Sequence, residues 1–272
     1  MRESYLKWFK LFEEHKMSFE RCKSECEILR ELYARRNILV HNSGVVNDIY
    51  IKNIPQTQHQ FGEKLYADEK YLDTAFESIK TLIFCTLIEG TRLKEDNRDE
   101  YIECIFKVAF DELTSENYRT CETVFYSLYK SPFVDEMTKH MALVNYWIAK
   151  IENSGLDSIK KEIETLDVSA LDKIFLLAKH ILLHEYQEAN YCVEELYSKK
   201  ELPFYALEEW PLFKRYRETD EYNAFKTNHP ELTGVIALET KSENPMKNNE
   251  IKQTVKTELK DTTKETLDED LK

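Results

Sequence analysis

Three side chains suited to cleaving a phosphodiester lie within six residues of one another: Arg36, Asn37 and His41. Arginine is a permanent, planar cation that matches a phosphate group, and histidine accepts or donates a proton near neutral pH. Charge stabilisation and acid–base catalysis are what a neighbouring 2′-hydroxyl needs in order to attack phosphorus. That chemistry requires no metal ion, and we assign neither a metal nor a cofactor to this chain.

The element that must position these side chains is predicted to be a helix, because apolar residues recur at helical spacing over residues 18–41. Along a continuous helix, five positions place Arg36 and His41 about 140° apart. The two side chains converge on one phosphate only if a helix boundary lies between them or if a second chain supplies the facing half of the site. A structural interpretation is also open. Arg36 would then pair with preceding acidic residues such as Glu27 and Glu31, and His41 would interact with the dipole at a helix end.

The block around the three side chains, residues 32–50, resembles the active-site segment of the HEPN family (higher eukaryotes and prokaryotes nucleotide-binding domains). In that family an arginine is followed by a polar residue and, a few positions later, by a histidine. Arg36, Asn37 and His41 match those three positions. Shorter matches continue farther along the chain, so that the similarity covers residues 1–93.

The resemblance implies metal-independent RNA cleavage at a site built between two protomers. Arg36 would bind the scissile phosphate, His41 would act as general base or acid, and Asn37 would orient them. We expect Arg35 and Asn42, which flank these positions, to contact the substrate. The product of 2′-hydroxyl attack would be a 2′,3′-cyclic phosphate.

The biological setting implied by the resemblance is that of a toxin or an anti-phage defence effector that cuts tRNA or another RNA. A homodimer through residues 1–95 would bring the two motifs face to face. Only 35 residues precede Arg36, fewer than the several helices that such domains usually carry before the motif. The resemblance therefore implies that the first part of the bundle is missing or is supplied by a partner.

Composition predicts an all-α protein, since 5 glycines and 6 prolines among 272 residues are too few for a loop-rich β fold. A net charge of −13 argues against a protein that coats nucleic acid, which would be basic. A local cationic slot around Arg35 and Arg36 remains compatible with that charge. An acidic nuclease would touch RNA only at its cleft.

The six cysteines show no Cys-x-x-Cys pair, and their apolar neighbours are typical of reduced core thiols in a cytoplasmic protein. The amino-terminal residues do not resemble a signal peptide. The longest apolar run, residues 82–88, is far shorter than the roughly 20 residues that span a membrane. We therefore expect a cytoplasmic chain without a membrane partner, and a buried helix at residues 82–88.

The first predicted domain, residues 1–95, contains helices over residues 4–14 and 18–41 and one long helix over residues 69–93. Asp68 has the side chain and position of an N-cap for the long helix. Residues 45–67 are predicted to form a loop with a short extended piece near residues 49–51.

The second predicted domain, residues 97–235, reads as paired short helices. The turn at Tyr118 and Cys121 recurs at Tyr186 and Ala189, 68 residues later, which is twice the 34-residue period of tetratricopeptide repeats. A middle repeat would fall at Gly155. The region resembles a degenerate tetratricopeptide array that offers a surface to a protein partner, and an irregular helical bundle is the alternative.

Late aromatic residues are predicted to seal the end of this array, with an aromatic ligand platform as the alternative: Trp210, Phe213, Tyr216, Tyr222 and Phe225. Residues 236–272 are rich in charged and small polar residues and are predicted to be a disordered tail. His180 and His184 are four positions apart but have no third ligand at metal-site spacing.

Two functions follow from these observations. The first is a HEPN-type endoribonuclease with a helical region for sensing or partner contact. The second is a non-catalytic module, in which the helical bundle dimerises and the helical hairpins bind a protein. The intact Arg36, Asn37 and His41 favour the first, and the short amino terminus favours the second.

Overall fold

The computed structural model describes residue 14 and residues 20–93 and 96–230. Every regular element in this part of the chain is a helix, so the predicted all-α fold is confirmed. The one extended pairing among the described residues is an isolated antiparallel bridge between Val45 and Lys64. No helix in the described residues has the length and apolar character needed to cross a membrane.

The chain divides into two compact units, residues 1–162 and 163–272. The α-helices of the first unit are α1 (Lys23–His41), α2 (Asp48–Asn53), α3 (Glu69–Gly90), α4 (Arg98–Thr114), α5 (Tyr118–Lys130) and α6 (Glu136–Ser154). Single 3₁₀ turns occur at Glu20–Cys22, Thr91–Leu93 and Leu156–Ser158. Helix α7 (Lys160–Thr165) lies at the division between the units.

The α-helices of the second unit are α8 (Lys173–Leu182), α9 (Tyr186–Ser198), α10 (Phe204–Glu209) and α11 (Asp220–Asn228), with 3₁₀ turns at Pro211–Phe213 and Tyr216–Glu218. Helices α8 and α9 pack against each other, and α9 packs against α11. The predicted boundary at residues 96–97 stays a prediction. The predicted helix over residues 4–14 falls almost wholly, and the predicted tail entirely, outside the described residues.

Helix α3 begins where the sequence places it, because the Asp68 carboxylate accepts a hydrogen bond from the backbone N–H of Tyr71 at 2.8 Å. The helix packs against α1 on one side and α5 on another. Its apolar run is buried at Leu82, Phe84 and Cys85, but the prediction of a buried segment is wrong at Ile83 and Leu87, which are 56% and 44% exposed on the other side of the helix. Helix α1, which contains Arg36 and His41, is therefore packed against α3.

The segment between α1 and α3 contains a helix where the sequence predicted an extended piece. Asn47 caps α2 by accepting a hydrogen bond from the backbone N–H of Tyr50 at 2.9 Å, and Tyr50 is 1% exposed. Tyr50 packs with Ala34 and Ile38 of α1 in one apolar cluster. The prediction of an extended piece near residues 49–51 is wrong because burial of Tyr50 against α1 outweighs the local β-branched pattern.

The turn that recurs after 68 residues has the same geometry at both places. Glu116 and His184 are both left-handed, with φ of 63° and 61°. The N–H of the next residue, Asn117 or Glu185, bonds to the carbonyl oxygen five positions earlier at 3.0 and 2.9 Å, which is the Schellman ending of a helix. Gly155 instead ends α6 as its C-cap, so it does not occupy the position within a helix that Cys121 and Ala189 share.

The late aromatic side chains form a buried core in the second unit. Phe213, Tyr216 and Phe225 are 0% exposed. Neighbouring rings of the group lie 5.4–6.4 Å apart between centroids, from Phe213 through Tyr216 and Tyr222 to Phe225. These contacts leave no open aromatic platform at these side chains, and the predicted sealing of a repeat array stays a prediction.

The cysteines depart from the prediction at one pair. Cys22, just before α1, forms a disulfide with Cys85 near the end of α3. The prediction of reduced thiols is wrong for this pair, because α1 and α3 bring together two residues 63 positions apart in the sequence. Cys121 and Cys192 are buried thiols.

Candidate functional site

The predicted site lies at the carboxyl end of α1. Arg36, Asn37 and His41 all belong to this helix, and all three are exposed. The helix continues without interruption from Lys23 to His41. The structure therefore removes one of the two routes by which Arg36 and His41 were expected to converge, since no helix boundary lies between them.

The three polar side chains border an exposed apolar strip of α1. Tyr33 is 45% exposed and Val40 is 59% exposed. At 3.6 residues per turn, Arg36 and His41 lie about 140° apart, and Val40 and Asn37 fall between them. We call this surface the α1 face: Tyr33, Arg36, Asn37, Val40 and His41.

The end of α1 is held by residues that follow the motif. The Asn42 side chain donates a hydrogen bond to the carbonyl oxygen of Val45 at 2.6 Å. The backbone N–H of Asn42 and that of Gly44 both bond to the carbonyl oxygen of Ile38, at 2.8 and 2.9 Å. Asn42 is therefore part of the turn that ends the helix, and its predicted contact with substrate stays a prediction.

Gly44 occupies a position that requires glycine. Its φ is +80°, and a Cβ there would lie 2.6 Å from the carbonyl oxygen of Leu65. We expect Gly44→Ala to lower the free energy of unfolding by about 3 kcal/mol, from left-handed strain of about 1–2 kcal/mol and overpacking of about 1–3 kcal/mol. Urea denaturation followed by circular dichroism measures this.

Gly62 is the matched control for Gly44. Its φ is +83°, but a Cβ there would meet nothing within 4 Å. Gly62→Ala should therefore cost only the backbone strain, about 1–2 kcal/mol. Equal losses in the two variants would contradict the close approach of Gly44 to Leu65.

Arg35, the neighbour of Arg36, is engaged in a network instead of facing solvent. Its Nε donates to Glu31 Oε1 at 2.7 Å, and its Nη1 donates to the carbonyl oxygen of Tyr66 at 3.0 Å. The guanidinium also lies over the ring of Tyr71, 4.1 Å from the centroid. These contacts tie α1 to the loop before α3 and to the first turn of α3. The predicted contact of Arg35 with substrate stays a prediction.

Glu31 is the centre of this network. Besides pairing with Arg35, its carboxylate accepts hydrogen bonds from the hydroxyls of Tyr50 at 2.7 Å and Tyr71 at 2.8 Å. Burial and the bond to Glu31 raise the pKa of Tyr50 to about 12. Burial and the charge of Glu31 also raise the pKa of Tyr71. The network therefore fixes the phenols as neutral hydrogen-bond donors.

His59 and Glu63 extend the network and were not singled out by the sequence. His59 Nδ1 lies 2.8 Å from Glu63 Oε1, and His59 Nε2 lies 3.4 Å from Arg35 Nη2. Because arginine is only a donor, Nε2 accepts and Nδ1 donates to Glu63. The backbone N–H of Gln60 and the His59 ring lower the pKa of Glu63. The four-residue spacing of His59 and Glu63 was the only signal in the sequence.

His180 and His184, which are four positions apart in the sequence, each contact a different charged side chain. His180 Nδ1 lies 2.7 Å from Glu185 Oε2, and His184 Nε2 lies 3.3 Å from Arg215 Nη1. Burial and the positive charge of Arg215 lower the pKa of His184. Across residues 20–93 and 96–230, no group of three or more histidine, cysteine, aspartate or glutamate side chains is arranged to hold a metal ion.

Comparisons of the chain with protein-family models, with curated proteins and with solved structures find no match.

Proposed function

We propose that the chain is a metal-independent endoribonuclease of HEPN type whose site contains Arg36, Asn37 and His41. One observation carries the proposal: the three side chains are exposed together on the α1 face, while Arg35 beside them is engaged in the Glu31 network. The fold thus separates two adjacent arginines and leaves the one that matches the family motif open to solvent.

The site is proposed to be completed by a second copy of the chain. Arg36 and His41 lie on opposite edges of the α1 face, about 140° apart around the helix, so one copy does not direct both at the same phosphate. A two-fold contact through the exposed Tyr33 and Val40 would bring a second set of the same groups to the same place. Arg36 from one copy would then work with His41 from the other.

The proposed reaction is an in-line displacement at phosphorus. The ribose 2′-oxygen forms a bond to phosphorus as the bond to the 5′-oxygen breaks, which gives a 2′,3′-cyclic phosphate and a 5′-hydroxyl. His41 takes the proton of the 2′-hydroxyl or delivers one to the leaving oxygen. Arg36 stabilises the charge that develops on the phosphoryl oxygens, and Asn37 orients these groups by hydrogen bonding. An Arg36–Asn37 contact of 3.4 Å between Nη1 and Oδ1 supports this last role.

The substrate class proposed is structured cellular RNA such as tRNA, cut by a toxin or defence effector in the cytoplasm. The net charge of −13 limits RNA contact to a small part of the surface. The two edges of the α1 face, at Arg36 and His41, are the part of the surface proposed to contact RNA. A non-catalytic dimerisation and interaction module is the alternative function.

Cleavage of tRNA by the purified chain tests the proposal. We expect discrete fragments that end in 2′,3′-cyclic phosphate and 5′-hydroxyl groups, because the attacking oxygen belongs to the RNA itself. Phosphatase and kinase treatment of the fragments distinguishes these ends from those made by water attack. Cleavage should persist in EDTA. Intact RNA after incubation with folded dimer, across several RNA classes, would favour the interaction module.

A further inference from the structure

Helices α3 and α4 carry large apolar side chains that remain accessible to solvent. The exposed fractions range from 41% at Leu72 to 66% at Phe76. We call the set the α3–α4 surface: Leu72, Phe76, Ile83, Leu87, Tyr101 and Val108. Single exposed apolar residues are ordinary, but a contiguous group of this size marks an interaction site.

The members on α3 form one stripe. Leu72, Phe76, Ile83 and Leu87 are separated by four, seven and four positions, which places them within about 60° of one another around the helix. The opposite side of α3 is used for packing, with Ala75, Leu82, Cys85 and Ile88 all buried. Helix α3 therefore has two apolar sides, and the core of the first unit covers only one.

The members on α4 continue the same surface. Arg98 Nε donates to the carbonyl oxygen of Thr91 at 3.0 Å, and Lys80 Nζ donates to Glu112 Oε2 at 2.7 Å. The first contact joins the start of α4 to the residue after α3, and the second joins the last turn of α4 to the middle of α3, so the two helices are antiparallel. Counting along each helix from the pair Lys80 and Glu112 places Val108 opposite the turn of α3 that contains Ile83. The α4 members therefore flank the Ile83 and Leu87 half of the α3 stripe and form a groove with it, while Leu72 and Phe76 continue the stripe beyond the last turn of α4.

The net charge of α3 and α4, counted over all their faces, indicates the chemistry of a partner. Nine acidic and four basic side chains lie on α3 and α4, a net charge of −5. Glu69, Asp73 and Asp111 are among the exposed acids. A second copy of this acidic surface, an anionic membrane and a nucleic acid would all be repelled by it. A cationic partner would be attracted.

We propose that the α3–α4 surface binds a basic amphipathic helix of another protein. The apolar side of that helix lies in the groove, and its lysine and arginine side chains pair with the acids of the rim, which is the helix-in-groove mode of recognition. The sixteen residues from Leu72 to Leu87 extend for about 22 Å along the helix, the length of about four helical turns. This interaction is independent of the α1 face and of its chemistry.

A designed peptide tests the proposal on the full-length chain. The probe is a fluorescein-labelled amphipathic peptide of leucine and lysine, about four turns long, compared with a peptide in which glutamate replaces every lysine. We expect the lysine peptide to bind at least about tenfold more tightly than the glutamate peptide. Replacement of two apolar anchors, Phe76→Ser with Ile83→Ser, should weaken binding by at least about tenfold.

Two further variants test whether the peptide binds specifically to the α3–α4 surface or nonspecifically to exposed apolar side chains. Tyr191→Ser removes an apolar side chain that is 78% exposed on α9, a helix of the second unit, and should leave binding unchanged. The charge reversal Asp73→Lys with Asp111→Lys changes the net charge of the two helices from −5 to −1, so it should reduce the preference for the lysine peptide without altering the core. Circular dichroism confirms that each variant is folded.

If the α3–α4 surface binds something other than a basic helix, the following results would overturn the proposal. Sedimentation in which Phe76→Ser with Ile83→Ser converts a dimer into a monomer would assign the surface to a second copy. Flotation with anionic vesicles that depends on Phe76 and Ile83 would assign it to a membrane. Displacement of the lysine peptide by a synthetic peptide of residues 1–16 would assign it to this chain's own amino terminus. Equal binding of both peptides would remove the charge argument.

Discussion

Replacing His41 with alanine should reduce RNA cleavage by about 10²–10⁴-fold, because it removes the group that transfers the proton while the bond to phosphorus forms. His41 is exposed and is the last residue of α1. The turn that ends the helix is held by Asn42 and Gly44 instead. The fold should therefore survive the change. Single-turnover cleavage of labelled tRNA measures the rate, and thermal unfolding measures the stability.

The control for this experiment is another histidine of the same unit. His59 lies in the Glu31 network and contacts Glu63 and Arg35, so His59→Ala should affect stability more than the rate of the chemical step. Rates that fall with His59→Ala but not with His41→Ala would move the catalytic role from the α1 face to the network. Equal activity of His41→Ala and wild type would defeat the nuclease proposal.

The order of helices was predictable because its signals are local. Asp68 caps α3 through a neighbour three positions away, and the apolar spacing that follows it belongs to the same helix. Similarly, the turns at Glu116 and His184 follow from short patterns that repeat in the sequence. Such signals depend on residues within one or two turns, which a single sequence contains in full.

Features that depend on distant residues were not predictable. Helix α2 forms because Tyr50 is buried against α1 and reaches Glu31, 19 positions away. Cys22 meets Cys85 only because α1 and α3 pack together. No local pattern in the sequence encodes either contact.

The two adjacent arginines show the same limit at the site. Arg35 and Arg36 are neighbours of the same residue type, yet Arg35 contacts Glu31, Tyr66 and Tyr71, while Arg36 is exposed. One position along a helix corresponds to a rotation of about 100°, which is enough to turn one guanidinium toward the loop before α3 and the other toward solvent. The motif placed the predicted site on one helix, but it did not indicate the separate environments of the two arginines.

Mixing two inactive variants should restore activity if the site is shared between two copies. Arg36→Ala retains His41, and His41→Ala retains Arg36. In a dimer of one copy of each variant, the retained Arg36 and the retained His41 belong to different chains. If they meet across the two-fold, one intact combination is present in each mixed dimer. With random pairing we expect recovery of about a quarter of wild-type activity, since about half of the dimers are mixed and each has one intact site of two.

In the matched control, a double variant that carries both Arg36→Ala and His41→Ala takes the place of the single variant Arg36→Ala. Mixing that chain with His41→Ala produces dimers of the same kind but with no intact combination, so activity should remain at the level of the single variants. Native mass spectrometry of the two mixtures verifies that mixed dimers have formed. Recovery in the first mixture alone would locate Arg36 and His41 of one site on different chains. No recovery despite abundant mixed dimers would show that Arg36 and His41 of different chains do not cooperate. That result would contradict the shared site, which we propose because the two groups lie about 140° apart on one helix.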